Sequence, residues 1–386
     1  MKRLRKALGT AAEMGAEVAS LTRGRYPGFV GARRPKALRG EIPVFVYHSI
    51  DAAEFEADLK FLAGNGYRTL DCDAFVEALA GRRPMPNRAV LLTIDDGRAS
   101  VWSHGFPLLR RYGMTAVVFL IPGYIRDADG VRPTTDDRPE GLASADPDLM
   151  TWPEIAAMAR SGLVDFQSHT LFHHKVPASD RVLGFVGPRD RTAPFDIPFA
   201  TGDEPGEEDS ALGYPLFETT SRMSGAAAFR PDAGLIADLR DAARGRFDAP
   251  GWRDRLHGVV EERRKAGLPI GTSEAPDETH AAMRHSLAEA RRIIEARLPG
   301  HRVRHLCLPY TLGSEAAVAA ARETGHASTF WGLLPERRGN RAGDDPFRSV
   351  RLKSDYLRRL PGQGRRSMAA ILLAKVQRRV SGRAVY

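Results

Sequence analysis

Short apolar runs alternate with segments of helical periodicity along most of the chain. The apolar runs predict strands, because each is short and ends at polar or glycine-containing sequence. They cover residues 42–47, 67–70, 89–94, 116–121, 164–167, 303–308 and 327–331. Apolar residues recur at helical spacing over residues 55–65, 71–80, 106–112, 152–161, 280–298 and 314–324. This alternation predicts an α/β protein with a parallel sheet, either open or closed into a barrel.

The alternation stops between about residues 175 and 276. Only scattered helical pattern remains there, near residues 233–243 and 252–265, so we expect a long insertion that is part loop and part helix. The predicted domains are a basic N-terminal segment at 1–40, a main domain at 41–355 that contains the insertion, and a basic amphipathic tail at 356–386.

The composition is that of a globular protein. A chain of 386 residues with 42% hydrophobic content can bury a full core. Its two cysteines, Cys72 and Cys307, lie far apart and do not predict a disulfide scaffold. The basic start of the chain is followed by Glu13 and Glu17 and by few large apolar residues. An export signal needs a denser apolar stretch, so we expect a cytoplasmic location.

The net charge is +9, and the basic residues are concentrated at the two ends of the chain. Both ends also carry apolar residues at helical spacing, namely Leu4, Leu8, Ala11, Met14 and Val18 at one end and Met368, Ile371, Leu372, Val376 and Val380 at the other. Such basic amphipathic helices can bind an anionic membrane surface, and ordinary packing of the tails is the alternative. No recognisable nucleic-acid module accompanies the charge, so nucleic acid is not the expected partner.

Candidate catalytic groups follow two of the predicted strands. Asp95, Asp96 and Gly97 come after the strand at 89–94, and His169 follows the strand at 164–167. Parallel α/β folds place their chemistry at the carboxyl ends of strands. An Asp-Asp-Gly sequence alone is typical of a turn, but its occurrence together with histidines at a second strand end favours a shared site.

The residue types in these loops are those of a metal site. His169 and His173 are four residues apart, and one helical turn would place both imidazoles on the same side. Together with Asp96 they form a two-histidine, one-carboxylate set that leaves positions open for water and substrate. Zinc suits these ligands, although cobalt, nickel, manganese or iron could occupy the same set. Asp95 would then act as a base on water activated by the metal.

The two loops also carry a family resemblance. Thr93–Gly97 and Ser168–His173 resemble the first two motifs of polysaccharide deacetylases (carbohydrate esterase family 4, the NodB homology domain), and Leu306–Tyr310 resembles the third. The resemblance covers residues 43–174 and 279–331 and leaves the insertion uncovered. It implies a distorted (β/α) barrel of the NodB-homology type with a long insertion, which removes acetyl groups from N-acetylated sugars.

The same resemblance implies a role for each candidate residue. Asp96, His169 and His173 would bind the metal, and Asp95 would be the base. The backbone N–H of Tyr310 would help to stabilise the oxyanion.

Two positions depart from the family pattern. Many members have an arginine where this chain has Cys307, which leaves open whether Asp95 has its usual orientation. No Leu-x-His motif follows Trp331. The segment Val46–Ile50 instead resembles the strand and Tyr-His of the poly-N-acetylglucosamine deacetylase branch. We therefore predict that His48 protonates the leaving amine, with His326 as a second candidate.

The sequence thus predicts a metal-dependent hydrolase that removes N-acetyl groups from a polysaccharide or from an amino sugar on a lipid or nucleotide carrier. The first alternative is a catalytically impaired carbohydrate-binding protein on the same fold. The second is a basic module that binds a membrane surface or nucleic acid, in which the acidic and histidine residues are structural.

Overall fold

The computed structural model describes residues 15, 17, 19–21, 23–38, 40–138, 142, 148–187, 212–244, 247 and 249–380. The chain divides into two compact units. The first unit comprises Met1–His169, Ala290–Cys307 and Gly325–Tyr386, and the second comprises Thr170–Glu289 and Leu308–Thr324.

The strands of the described residues are spread along the chain, and most have seven residues or fewer. They are β1 (Val44–Tyr47), β2 (Arg68–Thr69), β3 (Ala89–Ile94), β4 (Ala116–Leu120), β5 (Val164–Ser168), β6 (Lys175–Phe185), β7 (Pro215–Ser221), β8 (Phe229–Pro231), β9 (Gly271–Ser273), β10 (His305–Cys307), β11 (Ser328–Trp331), β12 (Ser349–Val350) and β13 (Leu352–Lys353).

Helices connect most of these strands. The α-helices of seven or more residues among the described residues are α1 (Ala52–Gly64), α2 (Cys72–Leu79), α3 (Phe106–Tyr112), α4 (Trp152–Arg160), α5 (Ala233–Ala243), α6 (Trp252–Lys265), α7 (Pro276–Arg297), α8 (Glu315–Glu323) and α9 (Met368–Val380). Several begin at a residue that caps the first turn; Asp51 before α1 and Asp71 before α2 each accept a backbone N–H three residues on.

The first unit contains one nine-stranded sheet in the order β12-β11-β10-β5-β4-β3-β1-β13, with β2 paired to β3. Every pairing in it is parallel. The first and last strands of this order are consecutive in sequence and are separated only by Arg351. The sheet therefore forms a nearly closed barrel, which confirms the predicted fold class.

The strands of this sheet are buried on both faces, and this explains why they appear in the sequence as short apolar runs. All six residues of β3 and all five of β4 are buried. Successive residues of β3 pack into different apolar clusters: Leu91 contributes to the cluster that holds Phe119 and Phe330, whereas Leu92 contributes to the cluster that holds Phe45. Because side chains alternate along a strand, both faces of the sheet are packed.

The second unit contains two antiparallel strand pairs, β6 with β7 and β8 with β9. Helices α5 and α6 lie where helical pattern was noted, and Leu235 and Leu256 from them pack with Phe185 of β6 in a separate apolar cluster. The strands were not predicted. The pairing of β6 and β7 shifts register on either side of Val182, so β6 lacks the regular alternation that marks a strand in a sequence.

The C-terminal tail forms the predicted helix, α9, whose buried face packs within the first unit. Ile371 is 2% exposed, and the buried Lys375 pairs with Glu17. Leu373 and Val376 are exposed. The apolar residues predicted for the N-terminal helix lie outside the described residues. Within the part of the chain that the structure describes, no helix is both long enough and apolar enough to cross a membrane.

Candidate active site

Asp95 and Asp96 lie directly after β3, at its carboxyl end, as predicted. The backbone N–H of Asp95 donates to the carbonyl oxygen of Tyr47 at 2.9 Å, which anchors the loop to β1. Asp96 has φ of 71° and Gly97 has φ of 77°, so two successive residues adopt the left-handed conformation. A Cβ atom at Gly97 would approach the Leu120 side chain to 2.9 Å. Glycine is therefore required there, and the strained backbone of Asp96 is typical of a functional loop.

Asp95 is held by a buried arginine that the sequence did not single out. Arg351 donates from Nη1 to Oδ1 at 2.7 Å and from Nη2 to Oδ2 at 2.9 Å. The Cys307 thiol donates a weaker bond to Oδ2, with 3.6 Å between Sγ and the oxygen. Burial alone would raise the pKa of the Asp95 carboxyl, but the charge and hydrogen bonds of Arg351, together with the nearby His169 and His48, outweigh it and hold that pKa well below its usual value. Asp95 is therefore ionised.

His169, directly after β5, is oriented by one ring nitrogen and faces both aspartates with the other. Its Nδ1 donates to the carbonyl oxygen of Cys307 at 2.9 Å. A carbonyl can only accept, so this bond places the proton of a neutral ring on Nδ1 and leaves the lone pair on Nε2. That Nε2 lies 3.7 Å from Oδ1 of Asp96 and 3.8 Å from Oδ2 of Asp95. A backbone acceptor on the second nitrogen is typical of a histidine that binds a metal.

Asp96 has a further partner in Arg98, whose Nε and Nη2 lie 3.2 Å from its Oδ2. The other carboxylate oxygen, Oδ1, is the one that faces His169. This guanidinium is 21% exposed, in contrast to the buried Arg351. The two aspartates are thus each paired with an arginine, and both face the same histidine.

His48, at the end of β1, completes the group in the first unit. Its Nε2 lies 3.9 Å from Oδ2 of Asp95, and its side chain is 29% exposed. Burial lowers the pKa of this imidazole, although the nearby Asp95 and Asp96 oppose that shift. A cavity of about 360 Å³ begins at His48 and extends along α1 and residues 353–378. His48 therefore both approaches Asp95 and lines this cavity.

The donor chemistry fits a divalent cation. Ligand atoms of Asp95, His169 and Cys307 all lie within 4.8 Å of one another, next to Asp96. Burial raises the pKa of the Cys307 thiol well above its usual value, and this thiol donates to Asp95. The remaining donors are carboxylate oxygens and an imidazole nitrogen, which suit zinc and related ions.

His173 and Tyr310 belong to the second unit. The backbone from Thr170 to His173 is not a helical turn, so the predicted helical placement of the second histidine is wrong. Thr170 and His173 have φ of 68° and 52°, and the Thr170 hydroxyl accepts the His173 N–H at 3.1 Å. Left-handed residues of this kind end a helix rather than continue it.

Tyr310 lies in a short turn next to that loop. Its own φ is 57°, and its hydroxyl donates to the carbonyl oxygen of His173 at 3.1 Å. The two rings are 4.5 Å apart between centroids, and the Lys175 ammonium lies 4.4 Å from the centre of the Tyr310 ring. The tyrosine side chain thus supports the loop of His173, and the oxyanion role of its backbone N–H stays a prediction.

His326, the second candidate for the acid, lies away from these groups. It precedes β11, whose Ser328 pairs in parallel with His305 at the start of β10. The candidate site is at the opposite, carboxyl end of the sheet, where Cys307 ends β10. The structure therefore places His48 close to Asp95, whereas His326 lies at the amino-terminal ends of the strands.

The sequence matches a known family over the region that carries both motifs. Residues 82–182 match the polysaccharide deacetylase family model. The chain is 28% identical over 141 residues to YxkH of Bacillus subtilis and 30% identical over 129 residues to the poly-beta-1,6-N-acetyl-D-glucosamine N-deacetylase of Escherichia coli K12. These matches cover 34% and 33% of this chain, but only 43% and 18% of the two relatives. They confirm the resemblance to polysaccharide deacetylases, and the chain spans less than half of each relative.

Solved structures support the fold. The deacetylase domain of BpsB from Bordetella bronchiseptica aligns with a TM-score of 0.51 at 18% identity, over 83% of this chain and 98% of that domain. A de-N-acetylase from Aggregatibacter actinomycetemcomitans aligns with a TM-score of 0.50 at 17% identity, over 86% of this chain and 98% of that one. The barrel is thus the fold of known deacetylases.

Proposed function

We propose that this protein is a metal-dependent hydrolase that removes the N-acetyl group of an amino sugar, within a polysaccharide or on a lipid or nucleotide carrier. The observation that carries the proposal is the grouping of His48, ionised Asp95, Asp96 and His169 at the carboxyl ends of three parallel strands. The named activity of the Escherichia coli relative supports the class of substrate.

We propose that a divalent cation, with zinc as the first candidate and cobalt, nickel, manganese or iron as the others, is held by Asp96 and His169. His173, four residues after His169 in the sequence, is the proposed third ligand. When bound, such an ion polarises a carbonyl oxygen and makes water more acidic.

The protein's own groups then divide the proton transfers. Asp95 takes a proton from the attacking water, and His48 gives one to the departing amine. The backbone N–H of Tyr310 is proposed to stabilise the carbonyl oxygen as its negative charge develops. Because the pKa of Asp95 is held low, its carboxylate is a weak base toward ordinary water. This is the reason that the proposal requires a divalent cation.

The geometry favours the hydrolase over an impaired binding protein. The absence of arginine at Cys307 was a sequence argument for impairment. Arg351 now provides a cation for the same aspartate, with two charge-assisted bonds.

The test is acetate release from a panel of N-acetylated glycans and nucleotide- or lipid-linked N-acetylglucosamine, together with metal analysis of the purified protein. We expect D96A and H169A to lose both metal and activity, and D95N to keep the metal but lose activity. D73N is the matched control, because Asp73 also contacts a histidine, His305 at 3.1 Å, outside the site. Activity that survives in chelated protein or in D95N would refute the proposed mechanism.

We further propose that α9 brings the protein to an anionic membrane surface in the cytoplasm. The support is that Leu373 is 59% exposed and Val376 is 37% exposed, on a helix that also carries Arg378. Co-sedimentation with vesicles of anionic and of neutral lipid tests this. The double variant L373S/V376S should bind anionic vesicles less than wild type, whereas L183S should not, since Leu183 is an equally exposed leucine in the second unit. Equal binding by all three proteins would refute the proposal.

A further inference from the structure

We propose that the cavity beside His48 binds the phosphate group of a carrier-linked amino sugar, so that the substrate is a sugar phosphate ester rather than a neutral polysaccharide. The inference rests on the proposed function, since it names the substrate class of that same site. Nucleotide and lipid carriers share this chemistry, because both are joined to the sugar through a phosphate ester.

The cavity places a cation beside the proposed acid. His48 and Lys353 both line it, and all of its lining residues belong to the first unit. Lys353 of β13 pairs in register with Val46 of β1, two residues before His48. The two residues therefore lie on neighbouring parallel strands, at the carboxyl edge of the sheet. A substrate whose acetamido group lies at His48 passes this ammonium group as it extends into the cavity.

Two arginines of the cavity converge on a single carboxylate oxygen. Oε2 of Glu54 accepts a bond from Arg358, and the same oxygen lies 3.4 Å from Nη1 of Arg366. The Arg358 guanidinium is also fixed by the buried Asp58, with 2.8 Å between Nε and Oδ1. The Glu54 side chain is 47% exposed, and an exposed ion pair contributes little to stability. A phosphate group can therefore displace Glu54 and accept bonds from both guanidiniums.

Two other arginines of the same segment have a structural role. Nε of Arg359 donates to the carbonyl oxygen of Val30 at 2.8 Å, and Nη2 of Arg365 donates to that of Phe29 at 3.0 Å. These guanidiniums tie the segment to the chain near residue 30. In contrast, Arg358 and Arg366, which contact carboxylates, are the two of these four arginines that line the cavity.

The wall formed by α9 is balanced in charge and does not belong to the anion site. Lys375 pairs with Glu17 and lies 3.2 Å from Asp355, which also pairs with Arg378. Asp355 is 7% exposed, so it is fixed in place, unlike Glu54.

The phosphate site is therefore assigned to Lys353, Arg358 and Arg366. These three cations face two carboxylates, Glu54 and Asp58, of which the exposed one can turn away. The remaining carboxylate of the lining, that of Asp51, accepts the backbone N–H of residue 54 at 3.1 Å as the cap of α1. The local charge thus favours an anion.

The experiment measures binding to the chelated full-length protein by calorimetry. The probes are N-acetylglucosamine 1-phosphate and methyl N-acetylglucosaminide, which differ in the group on the anomeric carbon. The variants are R366Q and E54Q, with R348Q as the matched control. Arg348 is 28% exposed and lies 3.6 Å from Glu336, much as Arg366 is 33% exposed and lies 3.4 Å from Glu54. It directly precedes β12, at the amino end of the sheet.

We expect wild type to bind the phosphate probe about tenfold more tightly than the neutral probe, because hydrogen bonds between charged groups are strong. R366Q should bind the phosphate probe about tenfold more weakly than R348Q does. E54Q should bind it about threefold more tightly than wild type, since the competing carboxylate is removed, and a structural defect would not produce a gain. If R366Q does not fold, R366K and E54Q decide. Equal affinity of wild type for the two probes, or of R366Q and R348Q for the phosphate probe, would overturn the inference.

Acetate release then separates the two carriers and tests the proposed function independently. The substrates are uridine-diphosphate-linked N-acetylglucosamine, polyprenyl-diphosphate-linked N-acetylglucosamine and neutral poly-N-acetylglucosamine. The faster of the two phosphate esters identifies the carrier. Faster release from the neutral polymer than from either ester would overturn the inference and leave the proposed function standing. Release from none of the three by the metal-loaded protein would refute the proposed function, whereas a difference in binding between the two probes would still support the phosphate site.

Discussion

The buried ion pair between Asp95 and Arg351 makes a sharp prediction about stability. Both side chains are at most 3% exposed and share two bonds of 2.7 and 2.9 Å. The pKa shifts agree in direction, since the pKa of Asp95 is lowered and that of Arg351 is raised. Removing one partner of such a pair leaves a buried charge without compensation and costs about 3–5 kcal/mol. We expect R351M to lose that much free energy of unfolding.

The size of the coupling follows from a double-mutant cycle of R351M and D95N. Replacing both partners removes both buried charges, so the double variant should be less destabilised than the sum of the single variants by about 2–3 kcal/mol. The measurement is urea unfolding of the chelated protein in a W252F background. Of the four tryptophans, Trp252 is the one in the second unit, so fluorescence then reports on the first unit alone. Single-variant effects that add to within about 0.5 kcal/mol would refute the reasoning, because residues that do not interact behave in that way.

Three further predictions concern burial and backbone strain. Burial raises the pKa of Glu41 from 4.5 to about 7, so the native state binds the proton more tightly than the unfolded state. The free energy of unfolding of wild type should therefore fall by about 3 kcal/mol relative to that of E41Q as pH rises from 4.5 to 7. The same dependence on pH for both proteins in urea unfolding would contradict this. Cys72 and Cys307 are fully buried, and burial raises the pKa of both thiols. Neither should react with a thiol reagent in the native protein, and both should react in urea. Fast labelling of the native protein would count against the described packing. G97A should destabilise the protein by about 1–3 kcal/mol more than G113A does. Both glycines have positive φ, but only at Gly97 would a Cβ atom contact a neighbouring side chain. Equal thermal unfolding midpoints for the two variants would contradict this prediction.

The two motif loops were predictable from the sequence because local signals mark them. β3 is a mostly apolar run with its boundaries at Ala89 and Ile94, as predicted, and β5 ends one residue before His169. Parallel strands that are buried on both faces give such runs, and their carboxyl ends necessarily lie at one edge of the sheet. The positions of Asp95, Asp96 and His169 relative to one another followed from that.

Other features depended on contacts that no local pattern records. β12 and β13 are two residues long each, which is too short for any periodicity to be visible. The prediction of a helical turn at His173 assumed right-handed backbone angles. The residue types in this loop do not indicate that Thr170 adopts the left-handed conformation. The strands of the second unit were hidden by shifts in register.

The contact between Arg351 and Asp95 shows that a charged group missing from one motif position can be supplied from another strand end. In a nearly closed parallel barrel, the carboxyl ends of all strands surround one space, and neighbouring strands lie about 4.8 Å apart. A guanidinium on a long side chain can therefore reach the same carboxylate from more than one strand. The requirement at Asp95 is a positive charge with two donors in one plane, and it does not specify which strand provides them. A missing motif residue is thus evidence of lost activity only when no other strand end supplies the same group.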